Sequence, residues 1–405
     1  MKDVVIVDGL RTPVGNHGGA LRDITAPVLA QTVMQGILDR TKIDPASIDE
    51  VIFGCIAQPS EAPNIARVAA LMAGIPKKVP GYTVARNCNS GMDAIVAAYK
   101  NIVIGDGDIY LVGGVESMSN IPYVLKGVRW GLKLRHAQLT DAMWEGLTDP
   151  ICGQLMGRTA ENLVDEFEIT RQEQDEFAVS SHKKAFMATR TGKFKGEIVP
   201  VEVVKKAAGQ EVAREQITQD ETINPALSVQ KAALYPAIFK EGGTVTPANA
   251  CGISDGASAM LIMSASKATQ LGYTPMARIV SYGYAGVEPQ RMGIAPAYAV
   301  PKALNKAGLT LADMDLIEIN EAFAAQVLAV GRALNDHGWD WNKVNVNGGA
   351  IALGHPVGSS GCRIAVTLAH EMRRRGSRYG LATLCAAGGQ GSALIVERVN
   401  GATDR

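Results

Sequence analysis

Two stretches of the sequence carry residues that could do chemistry in front of a helix. NGGAIALGHPVGSSGCRI (347–364) sets His355 among glycines, and VARNCNSGMDAI (84–95) sets Cys88 among small polar residues. A residue just before a helix lies near free backbone N–H groups and the positive end of the helix dipole, which favour an anion. We therefore expect a lowered pKa for the Cys88 thiol and a reactive thiolate, with an imidazole that assists it.

Each residue also has an ordinary structural interpretation. A cysteine ahead of a helix is commonly a small buried apolar side chain, and a histidine in a glycine-rich loop commonly makes only structural hydrogen bonds. Their placement favours chemistry, because ILDRTKIDPASIDEVIFG (37–54) and ALNKAGLTLADMDLIEIN (303–320) share one pattern 266 residues apart, and His355 follows Cys88 by 267. The repeat indicates two duplicated α/β units with both residues at equivalent points, while the structural interpretations stay open.

Two further stretches add polar groups at strand ends. In CAAGGQGSALIVER (385–398), Cys385 ends one buried strand before another begins, so its side chain is expected to face the same crevice as Cys88. In EINEAFAAQ (318–326), Asn320 follows the strand-like LIEI. Asn320 is equally typical of a helix N-cap, and that interpretation is kept beside a functional one.

These residues are positioned by alternating strands and helices. Apolar runs of strand length alternate with Ala-rich helical stretches, which predicts an α/β layered architecture. Residues 118–245 are more polar and read as helix or loop, including the stretch 205–221, so they are predicted to be an inserted covering segment. The predicted halves are 1–267, which carries the insertion, and 268–405.

Composition limits the function. A chain of 405 residues with 47% hydrophobic content can bury large cores, and its 40 basic and 40 acidic residues cancel, which argues against a nucleic-acid or acidic-membrane partner. A small-molecule partner is expected. Six cysteines without CxxC pairs, and histidines without ligand spacing, predict neither a disulfide framework nor a metal site. No apolar run is long enough to span a membrane, and a reducing cytoplasm is expected.

Taken together, the motifs resemble the thiolase family, essentially from Met1 to Arg398. The resemblance rests on many blocks in the family's order: VVIVDGLRTPVG, RNCNSGMDA, LVGGVESMSN, MGRTAEN, GTVTPANACGISDGASA, MGIAP, NEAFAAQ, NGGAIALGHPVGSSG and CAAGGQGSA. It implies the thiolase fold, an α/β fold with duplicated βαβαβαββ halves in a five-layered αβαβα arrangement and an inserted loop domain.

The resemblance implies a CoA-dependent acyltransferase of fatty acid metabolism, with CoA as co-substrate and no bound cofactor. It would cleave a 3-ketoacyl-CoA to acyl-CoA and acetyl-CoA or another shortened acyl-CoA, or run the reverse Claisen condensation. Cys88 would form an acyl-cysteine while His355 accepts its proton, and Cys385 would then transfer the second proton. One oxyanion would be met by His355 and a water held by Asn320, and the other by the backbone N–H groups of Cys88 and Ala387.

By the same resemblance, six residues would line the acyl and pantetheine channel: Met156, Phe239, Cys251, Met292, Ala322 and Phe323. Ordinary core packing remains an alternative for the two methionines. A ketoacyl synthase of the same superfamily would carry a second histidine where Asn320 stands, and a non-catalytic thiolase-like CoA-binding subunit is a further alternative. A homodimer or homotetramer is expected, and an accessory subunit stays open.

Overall fold

The structure, a computed structural model, describes residues 2–132, 134, 136–207 and 210–399. Residue 1 of the predicted first half and residues 400–405 of the predicted second half lie outside the described residues. The boundary between the halves at 267 and the limits of the insertion stay predictions.

Strands and helices alternate along the described chain, so the predicted α/β class is confirmed. The strands are β1 (Val4–Arg11), β2 (Gly15–Asn16), β3 (Glu50–Gly54), β4 (Gly81–Val84), β5 (Ile109–Ser117), β6 (Tyr123–Leu125), β7 (Leu139–Asp141), β8 (Val201–Ala207), β9 (Gln210–Ile217), β10 (Ser254–Ser264), β11 (Ala277–Gly286), β12 (Leu316–Ile319), β13 (Tyr379–Ala386) and β14 (Gln390–Arg398). The α-helices are α1 (Ala26–Thr41), α2 (Ile65–Met72), α3 (Ser90–Ile104), α4 (Ala142–Gly146), α5 (Met156–Glu166), α6 (Arg171–Arg190), α7 (Val229–Ala232), α8 (Ala265–Gln270), α9 (Pro296–Ala307), α10 (Ala324–Ala333), α11 (Ala350–Leu353) and α12 (Val357–Arg375).

The large sheet repeats one pairing pattern in its two halves. Its strand order is β12-β13-β14-β11-β1-β10-β5-β3-β4, and the two halves meet where β1 pairs with β11. In each half a parallel pair, β3–β5 or β12–β13, is followed by two antiparallel pairs. Strand β3 begins at Glu50 and strand β12 at Leu316, the 266-residue offset of the sequence repeat. The predicted duplication is therefore confirmed.

Three apolar cores lie between the layers of helices and strands. Helices α1 and α2 pack on the outer face of the first half of the sheet, and α9 and α10 on that of the second. Helices α3 and α12 fill the space between the two halves, where Met92 and Val366 are fully buried. A central helix is covered on all sides, which explains why α12 is buried along almost its whole length. The five-layered αβαβα fold is thus confirmed.

The chain between β5 and β10 contains α4 to α7 and two hairpins, β6–β7 and β8–β9. The prediction of helix or loop over 205–221 is wrong, because β8 and β9 pair antiparallel from Val201↔Ile217. Cross-strand charge pairs such as Arg214–Glu202, at 2.8 Å, favour this exposed hairpin. Among the described residues, no helix has the length and apolar character needed to cross a membrane.

Candidate active site

The two central helices begin in the same way, each with a candidate residue in front of it. Cys88 immediately precedes the N-cap residue of α3, and His355 immediately precedes that of α12. The two helices pack closely at these ends: a Cβ added to Gly91 would lie 2.8 Å from the backbone nitrogen of Cys362. The sequence offset therefore corresponds to two helix starts that face each other.

The loop that carries Cys88 is a tight turn held by its neighbours. Asn87 adopts a left-handed conformation, with φ of 47°. Its carbonyl accepts hydrogen bonds from Ser90 N at 2.9 Å and from Ser90 Oγ at 2.6 Å, and Ser90 Oγ accepts from Arg86 N at 2.8 Å. The Asn87 amide group also donates to the carbonyl of Ala387 at 2.8 Å. The thiol is therefore anchored to both halves of the protein.

The Cys88 thiol is neutral at physiological pH. Burial raises its pKa to about 11, although the backbone N–H groups of Ala387 and of Cys88 itself act in the opposite direction. The expectation of a lowered pKa is wrong, because desolvation of the thiolate outweighs the N–H donors and the helix dipole. The Ala387 N–H nevertheless faces the sulfur, where a negative charge would develop.

His355 is a neutral imidazole with a defined tautomer. Burial, aided by the positive charge of Arg363, lowers its pKa to about 3. The Ser360 hydroxyl donates to the Pro356 carbonyl at 3.1 Å, so it accepts the hydrogen bond from His355 Nδ1–H at 2.6 Å. The other ring nitrogen, Nε2, lies 3.4 Å from Asn320 Nδ2, a donor. His355 Nε2 thus carries the lone pair of the ring, which faces the Asn320 amide and can take up a proton.

Asn320 contacts this histidine and does not cap the helix that follows. Helix α10 begins at Ala324, with Phe323 in the N-cap position, so the N-cap interpretation is wrong. The adjacent Glu321 fixes the loop by accepting a hydrogen bond from Asn345 Nδ2 at 2.7 Å. Among the described residues, none donates to Asn320 Oδ1, although Asn320 is fully buried. Its amide therefore faces the site.

Three thiols share the electrostatics of the site. Cys385 lies near the end of β13 and is buried, and a negative charge on Cys88 or Cys251 would further disfavour its thiolate. Burial raises the pKa of Cys385 well above its ordinary value and that of Cys251 to about 12. Each thiol is neutral in the resting protein, so a thiolate at any of them has to form during reaction.

A cavity of about 300 Å³ opens beside these groups, and its lining is mostly apolar. Phe239 and Phe323 meet edge to face in its wall, with ring centroids 6.1 Å apart. Of the predicted channel residues, Met292 and Ala322 pack behind the wall in one apolar cluster with Cys385. The wall itself includes His355 and four predicted channel residues: Met156, Phe239, Cys251 and Phe323.

The remaining lining comes largely from the inserted segment, which supplies Trp144, Leu147, Leu155 and Ile238. Sequence reasoning predicted a covering role for this segment without naming these side chains. The cavity wall is mostly apolar and includes His355 and Cys251, which suits a ligand with an apolar stem and a reactive group.

Several supporting residues were not singled out from the sequence. Ser360 orients His355, and Glu116 accepts a hydrogen bond from Gly358 N at 3.0 Å at the start of α12. Asp149 accepts from Gly388 N at 3.1 Å. Ser360 follows His355 by five residues in the same motif, which is a usable signal. The other contacts join distant segments and leave no mark in local sequence.

All six cysteines are free thiols. Cys55 is buried, with its thiol 3.5 Å from Glu116 Oε1. The described residues contain no group of three or more His, Cys, Asp or Glu side chains arranged to hold a metal ion.

Comparison with known proteins identifies the family. Residues 4–266 match the thiolase N-terminal domain, and residues 273–398 match the thiolase C-terminal domain. The acetyl-CoA acetyltransferase of Syntrophomonas wolfei is 49% identical over 98% of this chain and 99% of its own length.

Solved structures agree with these matches. The crystal structure of the Bacillus anthracis acetyl-CoA acetyltransferase has a TM-score of 0.95 and 46% identity, covering 98% of this chain and 99% of that one. Human mitochondrial 3-ketoacyl-CoA thiolase in complex with CoA has a TM-score of 0.93 and 42% identity, covering 98% of each chain. The chain therefore belongs to the thiolase family, and it is an acyltransferase that uses CoA as a substrate.

Proposed function

We propose that the protein exchanges acyl groups between CoA thioesters through an acyl-cysteine on Cys88. It cleaves a 3-ketoacyl-CoA with CoA, or condenses two acyl-CoA molecules in reverse. The observation that carries this proposal is a cluster of three thiols, Cys88, Cys251 and Cys385, close enough to interact electrostatically. The cavity wall includes Cys251 of this cluster together with His355. Relatives named acetyl-CoA acetyltransferase support it over the whole length of the chain.

In the first step the Cys88 sulfur attacks the thioester carbonyl carbon, and His355 Nε2 takes the thiol proton. The carbon–sulfur bond to CoA then breaks, and the CoA thiolate recovers that proton from the imidazolium. A neutral thiol and a neutral imidazole are the correct starting pair for such transfer, because neither residue has to lose a charge before substrate binds. Ser360 keeps Nδ1 protonated, so that Nε2 carries the lone pair and acts as the base.

Two oxyanion sites would act in different steps. The backbone N–H groups of Cys88 and Ala387 face the Cys88 sulfur and would stabilise the tetrahedral intermediate on the acyl group. His355, in its imidazolium form and therefore able to donate from Nε2, would stabilise the enolate oxygen of the second acyl-CoA together with a water held by the Asn320 amide. The buried, unbonded Asn320 Oδ1 supports this second role.

Cys385 would handle the second proton. In condensation Cys385 first gives its thiol proton to His355, and the Cys385 thiolate then removes an α-proton from the second acyl-CoA. The resulting carbanion attacks acyl-Cys88, and the departing Cys88 thiolate takes the proton from the imidazolium. In thiolysis Cys385 protonates the carbanion that leaves as acyl-CoA, and the resulting Cys385 thiolate deprotonates free CoA, whose thiolate attacks acyl-Cys88; the departing Cys88 thiolate again takes the proton from the imidazolium. The buried position of Cys385 near the end of β13, without a helix start beside it, favours proton transfer over nucleophilic attack.

The acetyl group is the acyl group that we propose for transfer, since relatives at 49% and 48% identity are named for it. Met156, Phe239, Cys251 and Phe323 would contact the acyl chain and pantetheine, with Met292 and Ala322 supporting them from behind. A steady-state panel from acetoacetyl-CoA to long-chain, branched and aromatic 3-ketoacyl-CoA tests this. The highest kcat/KM is expected for the short substrate, and a long-chain optimum would overturn the acetyl assignment.

The alternatives predict different results in one experiment. A ketoacyl synthase would condense but would not thiolyse a 3-ketoacyl-CoA with free CoA, and a non-catalytic CoA-binding subunit would do neither. A ketoacyl synthase would carry a second histidine where this chain has Asn320, and this chain also has Cys385. Both residues support the thiolase reaction. Thiolysis of acetoacetyl-CoA, followed by the loss of its enolate absorbance, distinguishes a thiolase from the other two, and a condensation assay then separates a ketoacyl synthase from a non-catalytic subunit.

A homodimer or homotetramer is part of this proposal, and so is a reducing compartment such as the cytoplasm. Strand β4 ends the large sheet, and no described strand pairs with its outer edge, which leaves that edge free for a second copy. Three free thiols at one site require reducing conditions to stay reactive. Light scattering after gel filtration measures the assembly, and a monomer would contradict it.

A further inference from the structure

The peptide unit that follows Ala387 is hydrogen-bonded at both of its ends. Its carbonyl oxygen, on Ala387, accepts from Asn87 Nδ2 at 2.8 Å. Its N–H group, on Gly388, donates to Asp149 Oδ2 at 3.1 Å. Asn87 comes from the Cys88 loop and Asp149 from the inserted segment, so two distant parts of the chain hold one peptide plane.

This plane lies in the turn between β13 and β14, whose far end is held where the Gly389 carbonyl accepts from Val287 N at 2.7 Å. Residues 387–389 connect β13 to β14 beyond the pair Ala386↔Gln390. Gly388 and Gly389 both have positive φ values, 78° and 72°, in a region that glycine leaves without steric barriers. The Ala387 N–H belongs to the preceding peptide unit, which joins the held unit at the Ala387 Cα, so a change in the Ala387 backbone angles would turn this N–H relative to the held plane and away from the Cys88 sulfur. Something outside the turn has to fix the direction of that N–H.

Both holding residues are suited to a fixed geometry. Asp149 is 2% exposed, and its Oδ1 accepts from Ile151 N and Cys152 N at 2.8 and 3.0 Å. These two bonds fix the orientation of the carboxylate whose other oxygen accepts from Gly388 N. A charged acceptor also strengthens the bond to the Gly388 N–H. Asn87 holds its left-handed conformation within the Ser90 turn, and asparagine tolerates that conformation better than most residues.

We propose that Asn87 and Asp149 are positioning residues that clamp the Ala387–Gly388 peptide and so aim the Ala387 N–H at the oxyanion on the acyl group. The inference rests on the proposed function, since it assumes that this N–H stabilises the acylation intermediate. It gives the inserted segment a role in catalysis in addition to covering the cavity.

The test uses two substitutions that preserve size and invert the hydrogen bond. Asn87→Asp places an acceptor against the Ala387 carbonyl. Asp149→Asn keeps Oδ1 for the local turn and places a donor against the Gly388 N–H. Each should lower the single-turnover rate of Cys88 acylation by acetyl-CoA about 10- to 100-fold, the usual scale for a displaced oxyanion donor. KM for acyl-CoA should change by less than about threefold, because the cavity wall is untouched.

The double variant distinguishes a clamp from two separate structural contacts. Asn87→Asp with Asp149→Asn exchanges the donor and the acceptor on the two sides of the same peptide. If the peptide plane flips, its N–H and its carbonyl both regain a partner. The acylation rate of the double variant should therefore fall no further than that of either single variant, whereas two independent contacts would multiply their losses. The pH profile for alkylation of Cys88 should also move to higher pH in the single variants, since the Ala387 N–H stabilises the thiolate.

Two controls complete the experiment. Asp141→Asn alters another aspartate of the inserted segment, one that caps α4 through Met143 N at 3.0 Å, and should leave acylation unchanged. Asn87→Gly keeps the left-handed backbone and removes only the amide, so it replaces Asn87→Asp if that variant does not fold. Wild-type rates in the folded variants, or multiplied losses in the double variant, overturn the clamp alone. A wild-type protein that does not acylate Cys88 overturns the proposed function, and the clamp with it.

Discussion

Replacing Ser360 by alanine removes the hydroxyl that accepts a hydrogen bond from His355 Nδ1 at 2.6 Å. In the resting protein the imidazole is neutral, and such a bond contributes about 0.5–1.5 kcal/mol. When His355 takes the Cys88 proton, the ring becomes a cation and the bond contributes about 1.5–3 kcal/mol. The difference, about 1–1.5 kcal/mol, stabilises only the charged intermediate and corresponds to about 10-fold in acylation rate.

The same substitution has a second, separate effect on stability. Ser360 is fully buried, so alanine leaves the Nδ1–H group without a partner, and this lowers the free energy of unfolding by about 1–3 kcal/mol. Single-turnover acylation, quenched and followed by intact mass, measures the first effect. Urea denaturation measures the second. KM should stay near its wild-type value, since Ser360 lies outside the cavity wall.

Ser359→Ala is the matched control for this prediction. Ser359 is equally buried on the same helical turn, but its hydroxyl pairs with Ser258 Oγ at 2.9 Å. The Ser359→Ala protein should have a lower free energy of unfolding than the wild type and an unchanged rate of Cys88 acylation. Equal acylation rates in the two alanine variants would refute the argument that Ser360 orients the base.

Three further predictions concern the catalytic groups themselves. Alkylation of Cys88 by iodoacetamide in the free protein should rise about tenfold per pH unit between pH 7 and 10, because a pKa of about 11 makes the thiolate fraction grow throughout that range; a plateau near pH 7 would mean a standing thiolate. Cys385→Ser should accumulate acyl-Cys88 and fail to condense or thiolyse it, as judged by intact mass and product formation. If acylation itself were lost in the folded variant, the roles of the two cysteines would be assigned wrongly. Asn320→Ala should lower kcat about 10²- to 10³-fold, as loss of an oxyanion group does; a change in KM alone would assign it to binding.

Much of the fold was predictable because the duplication is recorded in local patterns. The offset between the two helix–turn–strand units predicted the repeated sheet, and the position of Cys88 and His355 before a helix followed from glycine-rich and small-residue stretches. The channel residues came from family resemblance. Their burial could not have been inferred from spacing, because Met292 and Met156 look alike in sequence and only one lies in the wall.

The failures share a physical cause, which is dependence on distant packing. The pKa of Cys88 depends on how completely the surrounding layers exclude water, and helix start alone predicted the wrong direction. The role of Asn320 depends on where α10 begins. The N-cap of α10 is Phe323, three residues after Asn320, so Asn320 is left to contact His355. The β8–β9 hairpin was missed because its charged strands are stabilised by partners across the hairpin, which a polar stretch does not reveal.

The central claim is that Cys88 carries the acyl group. The most direct measurement uses the wild type and Cys385→Ser, each mixed with acetyl-CoA alone and then quenched. The quenched protein is digested, and peptide mapping by mass spectrometry locates the acetyl group. We predict one acetyl group, found on the peptide that contains Cys88, with higher occupancy in Cys385→Ser. Acetylation of Cys251 or Cys385 instead, or an unmodified protein that still turns over, would contradict the mechanism.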